Sequence, residues 1–180
     1  MSEVRCDVPP WRAAYTRARH EKKVAGALEE RGFEVYLPLV VRESQWHDRK
    51  KRVEWPMFAG YVFVRLDATS SAAALSVPGV ASLVGTGGTL AEIPESDIKN
   101  VRGLETAISS TGALPEAEPM FESGERVRVT AGPFKGIEGV VLEIRGERAV
   151  VQVGVRSISQ AVRLDVPAAA VLSLEPGARG

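Results

Sequence analysis

Two histidines, a single cysteine and one glycine-rich turn are the residues whose types would admit catalysis, and none has the company that chemistry needs. His20 and His47 have no Cys, His or carboxylate at a spacing typical of zinc ligation. Nothing near Cys6 orients or activates a thiolate, so it pairs with neither histidine as a nucleophile. Gly85-Thr86-Gly87-Gly88 follows a predicted strand, as a phosphate-binding loop would, yet the next residues (TLAEIP) open no helix and no Lys-Ser/Thr pair follows. A tight turn using glycine's access to positive φ is the better account. The sequence therefore predicts a protein that is not an enzyme and holds no metal or cofactor.

Binding chemistry is better represented. A basic run, Asp48–Arg52 (DRKKR), preceded by Trp46 and His47, leads into Trp55–Leu66, WPMFAGYVFVRL. Within that stretch Phe58–Leu66 has the length and the β-branched and aromatic content of a strand. Alternation sets Phe58, Gly60, Val62, Val64 and Leu66 on one face, and Ala59, Tyr61, Phe63 and Arg65 on the other. Both faces are apolar. Either the strand is covered on both sides, or it offers its aromatic face to a partner.

The totals restrict what that partner is. At 180 residues, 44% hydrophobic and 26% charged, the chain suits one ordinary globular domain or two small ones. No apolar run approaches the roughly 20 residues of a membrane span. MSEVRCDVPP lacks the apolar core of a signal peptide, and one cysteine makes no internal disulfide, so the expectation is a cytoplasmic protein without membrane contact. Lys+Arg and Asp+Glu balance at 23 each, unlike a protein whose affinity comes mainly from neutralising phosphates. The distribution is uneven: residues 1–66 hold 13 basic against 9 acidic groups, and residues 67–122 hold 2 against 8. Nucleic-acid contact, if made, belongs to the first third and supplements protein contact.

These residues need elements to position them. Trp11–Arg17 reads as a first strand. His20–Arg31 follows as a helix with Val24, Ala27 and Leu28 in a stripe, and Gly32 ends it. Phe33–Val41 reads as a second strand with Pro38 marking an edge or bulge, and residues 42–54 as an exposed hairpin or loop. Ala68–Val77 is a short helix capped by Asp67 or Thr69, Val80–Val84 a strand and Ile93–Leu104 a helix with Ile98, Val101 and Leu104 in register. Alternating strands and helices predict an α+β or α/β domain. Ile108–Pro119 has a linker's composition. Beyond it come short Val-rich strands at Arg126–Thr130, Ile137–Ile144, Arg148–Val155, Ser157–Leu164 and Ala170–Leu174, the spacing of a small barrel.

Gly124-Glu125-Arg126-Val127-Arg128-Val129, then Gly132-Pro133-Phe134-Lys135-Gly136 and Gly139-Val140-Val141, resembles a KOW motif, the mark of small SH3-like barrels in elongation factors and some ribosomal proteins. Ahead of it, WRAAYTR, RHEKKVAGALEERGFEVYLP, DRKKRVEWPMFAGYVFVRL and VPGVASLVG resemble, in that order, the NGN domain of NusG-like factors. Together they cover nearly the whole chain. HEKKVA, QWHDRKKRVE and GYVFV are most similar to the specialised paralogues of the UpxY, LoaP and RfaH type. The resemblance implies an α+β protein: an NGN sandwich with a mostly antiparallel sheet at 8–107, a linker at 108–122 and a KOW β-barrel at 123–176.

It also implies a monomeric transcription elongation and antitermination factor. In this family an aromatic NGN patch docks on the clamp helices of the largest RNA polymerase subunit and suppresses pausing and termination, here expected for a particular operon. By position the patch is Tyr15, Phe58, Tyr61 and Phe63. Phe58 has the other strand parity, so it joins through a bulge at Ala59-Gly60 or belongs to the core. Arg17, Arg19, Lys22 and Lys23 would face upstream or non-template DNA, or form a solvated helix face. Ser70 and Ser71 fall where relatives touch the opposing polymerase loop. Phe134, Val155 and Arg156 mark the barrel loops that would meet a ribosomal protein or Rho. Two departures stand out: Ala59 replaces the usual proline of housekeeping NusG, and Val155-Arg156 replaces an expected aromatic. The Val-rich strands predict a barrel and not the helical autoinhibited form known from RfaH. The alternatives are the general NusG of its cell and, in another class, an RNA- or ribosome-binding KOW module.

Overall fold

The computed structural model describes residues 8–112, 117–120 and 124–175; Cys6 and the Trp46 side chain lie outside the described residues. The elements run β1 (Trp11–Thr16), α1 (Glu21–Glu30), β2 (Val35–Tyr36), β3 (Leu39–Trp46), β4 (Arg49–Pro56), β5 (Tyr61–Arg65), α2 (Ser71–Leu75), β6 (Val80–Leu83), β7 (Gly85–Thr86), β8 (Thr89–Leu90) and α3 (Glu95–Thr111). They continue with β9 (Ala117–Pro119), β10 (Glu125–Val129), β11 (Glu138–Arg145), β12 (Arg148–Val155), β13 (Gln160–Pro167) and β14 (Val171–Ser173). Strand pairing is antiparallel, and the class is α+β. The chain forms two compact units, Met1–Leu37 with Ala59–Glu95, and Pro38–Phe58 with Ser96–Gly180.

The first unit is built on a four-stranded sheet ordered β2-β5-β1-β6. β1 and β5 pair Trp11 with Arg65, Ala13 with Phe63 and Tyr15 with Tyr61. Opposed residues share a face, so Ala14, Val62 and Val64 point together into a core with Val24, Ala25 and Leu28 of α1 and Ala74 of α2. The apolar stripe of α1 exists for this contact, and each fully buried Val or Leu contributes about 1.5–3 kcal/mol. On the opposite face Trp11, Ala13 and Phe63 are buried too, with the Tyr36 ring stacked on Phe63 at 6.1 Å. Arg65 closes one end of that face. Its guanidinium lies 4.5 Å from the centroid of Trp11 and pairs with Glu34 (2.9 Å) and Glu95 (2.5 Å). The middle of the sheet is thus covered on both sides, and its open aromatic surface lies at the Tyr15–Tyr61 end.

Two strand boundaries differ from expectation. β5 begins at Tyr61 and not at Phe58, because Gly60 sits at φ 86° and interrupts the alternation. Pro38, without an N–H, divides the expected second strand into β2 and β3. Gly87 and Gly88 form the β7–β8 turn with φ of 59° and 80°, which is the turn chemistry the sequence suggested.

In the second unit β3 and β4 make an eight-pair hairpin from Leu39↔Pro56 to Trp46↔Arg49. Its turn places His47 at φ 50°. The Leu39 N–H donates to Glu105 Oε1 of α3 (2.9 Å). α3 extends seven residues past the expected Leu104, since Ala107 and Ile108 continue the buried stripe of Ile98, Val101 and Leu104. The hydroxyls of Ser109, Ser110 and Thr111 are satisfied by carbonyls one turn back, at 2.9, 2.8 and 3.0 Å.

The six-stranded sheet ordered β14-β10-β11-β12-β13-β9 contains the five strands expected of the barrel plus β9. β9 comes from the predicted linker and pairs with β13. Gln152 explains why such a polar segment is held. This side chain is fully buried, and its amide donates to Pro119 O (3.1 Å) and Glu118 Oε1 (3.2 Å). Glu118 in turn pairs with Arg163 at 3.0 Å. The helix α3 also meets the barrel. Asn100 accepts from the Glu138 N–H (2.8 Å) and donates to the Glu138 carbonyl (2.6 Å), as a neighbouring strand would. A Cβ on Gly103 would lie 2.9 Å from Ile137 Cδ1, so the helix approaches the barrel closely there and a larger residue would have to displace the end of that side chain. Burial raises the pKa of Asp97 on the same helix, against the opposing pull of Arg156 and Arg126.

Replacing Gln152 with Ala removes hydrogen bonds worth about 1 kcal/mol each and leaves a buried void. We expect a loss of about 2–4 kcal/mol in urea unfolding, with faster amide exchange at Ala117 and Glu118.

Candidate docking site

Tyr15 and Tyr61 face one another across β1 and β5, with ring centroids 5.3 Å apart and planes tilted by 56°. Tyr15 is 45% exposed and Tyr61 half-buried. Burial, and then the neighbouring Tyr15 phenol, push the Tyr61 hydroxyl above its ordinary pKa, so it remains a neutral hydrogen-bond donor near neutral pH. On the far side of Tyr15, β6 contributes the exposed Ser82, its register partner. A partly exposed aromatic pair carrying two hydroxyls suits an amphipathic partner surface.

The loop before β5 sets the pair's geometry. Gly60 occupies a left-handed conformation, and a Cβ there would approach Tyr15 Cε2 to 3.1 Å. Its carbonyl accepts from the Thr16 N–H (2.8 Å), where the β1–β6 register shifts. Its own N–H donates to Glu21 Oε1 (2.8 Å). Glu21 is 6% exposed and stands in the first turn of α1, where the helix dipole favours a carboxylate. One buried acid thereby ties the start of α1 to the turn beneath both tyrosines. Its sequence signal was slight: an acid at a helix start reads as ordinary, and only the fold brings Gly60 to it.

The other expected contacts separate. Phe58 and Phe63 are 1% and 0% exposed, so neither presents surface; Phe58 takes the core alternative because no strand runs through it. Arg17, Arg19, Lys22 and Lys23 are exposed between the end of β1 and the first turn of α1. Ser70 and Ser71 are half-buried at the start of α2. Their hydroxyls are engaged with Asp67, which also accepts from Thr69 Oγ1 (2.7 Å) and the Ser70 N–H (2.8 Å). The hydrogen bonds from Ser70, then those from Thr69, pull the Asp67 pKa down to about 2. Val155 is fully buried at the end of β12, which removes it from the expected barrel contact; Arg156 beside it is exposed, and Phe134 is half-buried. Among the described residues no group of three His, Cys, Asp or Glu is placed to hold a metal ion, and no helix is long and apolar enough to cross a membrane.

Comparison with known proteins adds independent findings. Residues 9–102 match the family model described as "Transcription termination factor nusG", and residues 123–153 match the KOW motif. The NusG protein of Thermus thermophilus is 28% identical over 160 residues, covering 79% of this chain and 86% of that one. That of Pseudomonas aeruginosa is 30% identical over 135 residues, covering 74% and 75%. Both relatives are named transcription termination/antitermination proteins. A solved structure of Thermotoga maritima NusG shares the fold, with a TM-score of 0.50 at 22% identity over 92% of this chain and 97% of that one.

Two outcomes follow from the local geometry. Glu21→Ala strands the Gly60 N–H, and we expect a cost of about 1–3 kcal/mol in urea unfolding, most of it recovered by Glu21→Gln, which keeps an acceptor. Carboxylate NMR should find Asp67 titrating near about 2, with Ser70→Ala raising it. Because its folded pKa is depressed, the stability Asp67 lends is complete above the ordinary carboxylate range and is lost as pH falls toward about 2.

Proposed function

This chain belongs to the NusG family of transcription termination/antitermination factors, and from that membership we propose that it docks on RNA polymerase through Tyr15 and Tyr61. The target is the clamp helices of the largest subunit, and the consequence is suppressed pausing and termination. The observation that carries this reading is the exposed cross-strand pair at 5.3 Å, held from beneath by Gly60 and Glu21. Interface energy concentrates in aromatic anchors of this kind. Phe63, two residues along the same strand face, supports the pair as core. Arg17, Arg19, Lys22 and Lys23 lie exposed near the same end of β1 and offer charge to upstream or non-template DNA. On the barrel, Arg156 and Phe134 are the residues left to meet a second protein, such as a ribosomal protein or Rho.

Service to a particular operon is the finer part of the proposal. Ala59 in the docking turn and the missing aromatic beside Arg156 favour it over the housekeeping role. The rival class, a KOW module bound to RNA or ribosome alone, gives no purpose to an exposed tyrosine pair.

Pull-down of purified polymerase by the full chain tests the docking face. Tyr15→Ala with Tyr61→Ala should weaken capture about tenfold or more, the loss typical of interface hot spots. Undiminished capture by the double variant would sink the face, and no capture by wild type would sink the polymerase reading. RNA sequencing after gene deletion separates the operon-specific role, a change confined to one transcription unit, from the general one.

A further inference from the structure

The hairpin of β3 and β4 is the element that the docking proposal leaves without a use. Its register sorts its charges onto different faces. Opposed residues point the same way and alternate along the strands. One face therefore carries Val40 with Trp55, Arg42 with Val53, and Ser44 with Lys51, and Arg49 has the same parity at the turn. The other carries Val41 with Glu54, Glu43 with Arg52, and Gln45 with Lys50. Both strand carboxylates, Glu43 and Glu54, fall on the second face, where Glu43 lies 3.9 Å from Lys50. Asp48 is in the turn. The first face has three cations and no acid.

That face also has an aromatic surface. Trp55 is 47% exposed, and the Arg42 guanidinium stands 6.0 Å from its ring centroid. Arg49 and Lys51 are exposed two residues apart on one strand, about 7 Å along the backbone. An open indole flanked by unopposed cations is the chemistry of a single-strand platform: a base stacks on the ring while phosphates meet the charges. A duplex hides its base faces and would use the cations alone. An acidic protein surface would likewise use the cations alone and leave the indole plane unmet.

We propose that this hairpin face, Arg42, Arg49, Lys51 and Trp55, binds single-stranded nucleic acid. The site is independent of the tyrosine pair, so either survives the failure of the other. Sequence alone gave the charge run and the tryptophans; the pairing register separates the acids from them.

Fluorescence anisotropy of the full chain with labelled oligo(dT) and oligo(U) dodecamers, and a duplex of equal length, tests it. Both or one of the single strands should bind more tightly than the duplex, and the tighter one names DNA or RNA as the source. Trp55→Ala should weaken binding about fivefold or more, with Trp55→Phe recovering most of it. Arg49→Gln with Lys51→Gln should weaken binding and reduce the slope of log K against log salt by about 1.4. Lys50→Gln with Arg52→Gln removes the same charge from the opposite face and should change affinity less than about twofold. Equal weakening by the two pairs, preference for the duplex, or unchanged binding by Trp55→Ala overturns the proposal. Of the five residues changed here, four are exposed cations and the fifth is Trp55, and circular dichroism checks that each variant keeps its fold.

Discussion

The pairing of β1 with β5 fixes more of the first unit than any other contact, because the side-chain period of a strand leaves it no partial errors. With Tyr15 set against Tyr61, Ala14, Val62 and Val64 fall under α1 and Trp11, Ala13 and Phe63 fall on the far side. A slip of one residue would exchange the two sets, placing phenols and Arg65 against Val24 and Leu28. Gly60 and Glu21 guard the end where such a slip would start, the one by a conformation most residues resist and the other by a buried hydrogen bond. Arg65, ion-paired and stacked on Trp11, guards the opposite end. Display of the tyrosines and stability of the core are therefore one problem with one solution.

The barrel is specified by different means. Its interior is mostly Val and Ala, small β-branched and methyl groups that fill a narrow sheet, and the fully buried amide of Gln152 supplies direction. A buried amide tolerates few arrangements, since each unmet hydrogen bond costs more than a met one returns. Glu118 and Pro119 meet its donors and Arg163 balances the acid, so a short polar segment becomes a sheet edge. The same logic joins α3 to the barrel through Asn100, whose amide bonds the backbone of Glu138 on both its polar groups.

Alternation and turn residues made most of the fold legible in the sequence. The barrel strands, α1, the Gly87-Gly88 turn and the helix stripe of Ile98, Val101 and Leu104 all follow from local patterns that the tertiary structure repeats. What was illegible depends on partners distant in the chain. Ser-, Thr- and Gly-rich residues after Leu104 look like linker, but burial of Ala107 and Ile108 outweighs their weak helix preference. Ala117–Pro119 looks like linker until Gln152 is known to need acceptors. At the candidate site, Tyr15 and Tyr61 were legible because they share strand parity. Phe58 was not, since the residue that ends the strand is a glycine whose φ no sequence states. Val155 closes a strand whose bounds the sequence predicts, and it shares the parity of the buried Ala149, Val151 and Val153, so its side chain turns inward and away from a partner.

Capture of β9 by the barrel alters how far the barrel could travel if it ever left α3. Measured on the sequence, the connection from α3 to β10 spans Gly112 to Gly124. With β9 held on β13, only residues 113–116 lie between Gly112 and Ala117, a span of about 17 Å at full extension. A tether that short keeps a released barrel at high effective concentration around its helix, so re-docking competes strongly with any second partner. Longer reach requires β9 to peel away first, at the cost of the bonds to Gln152.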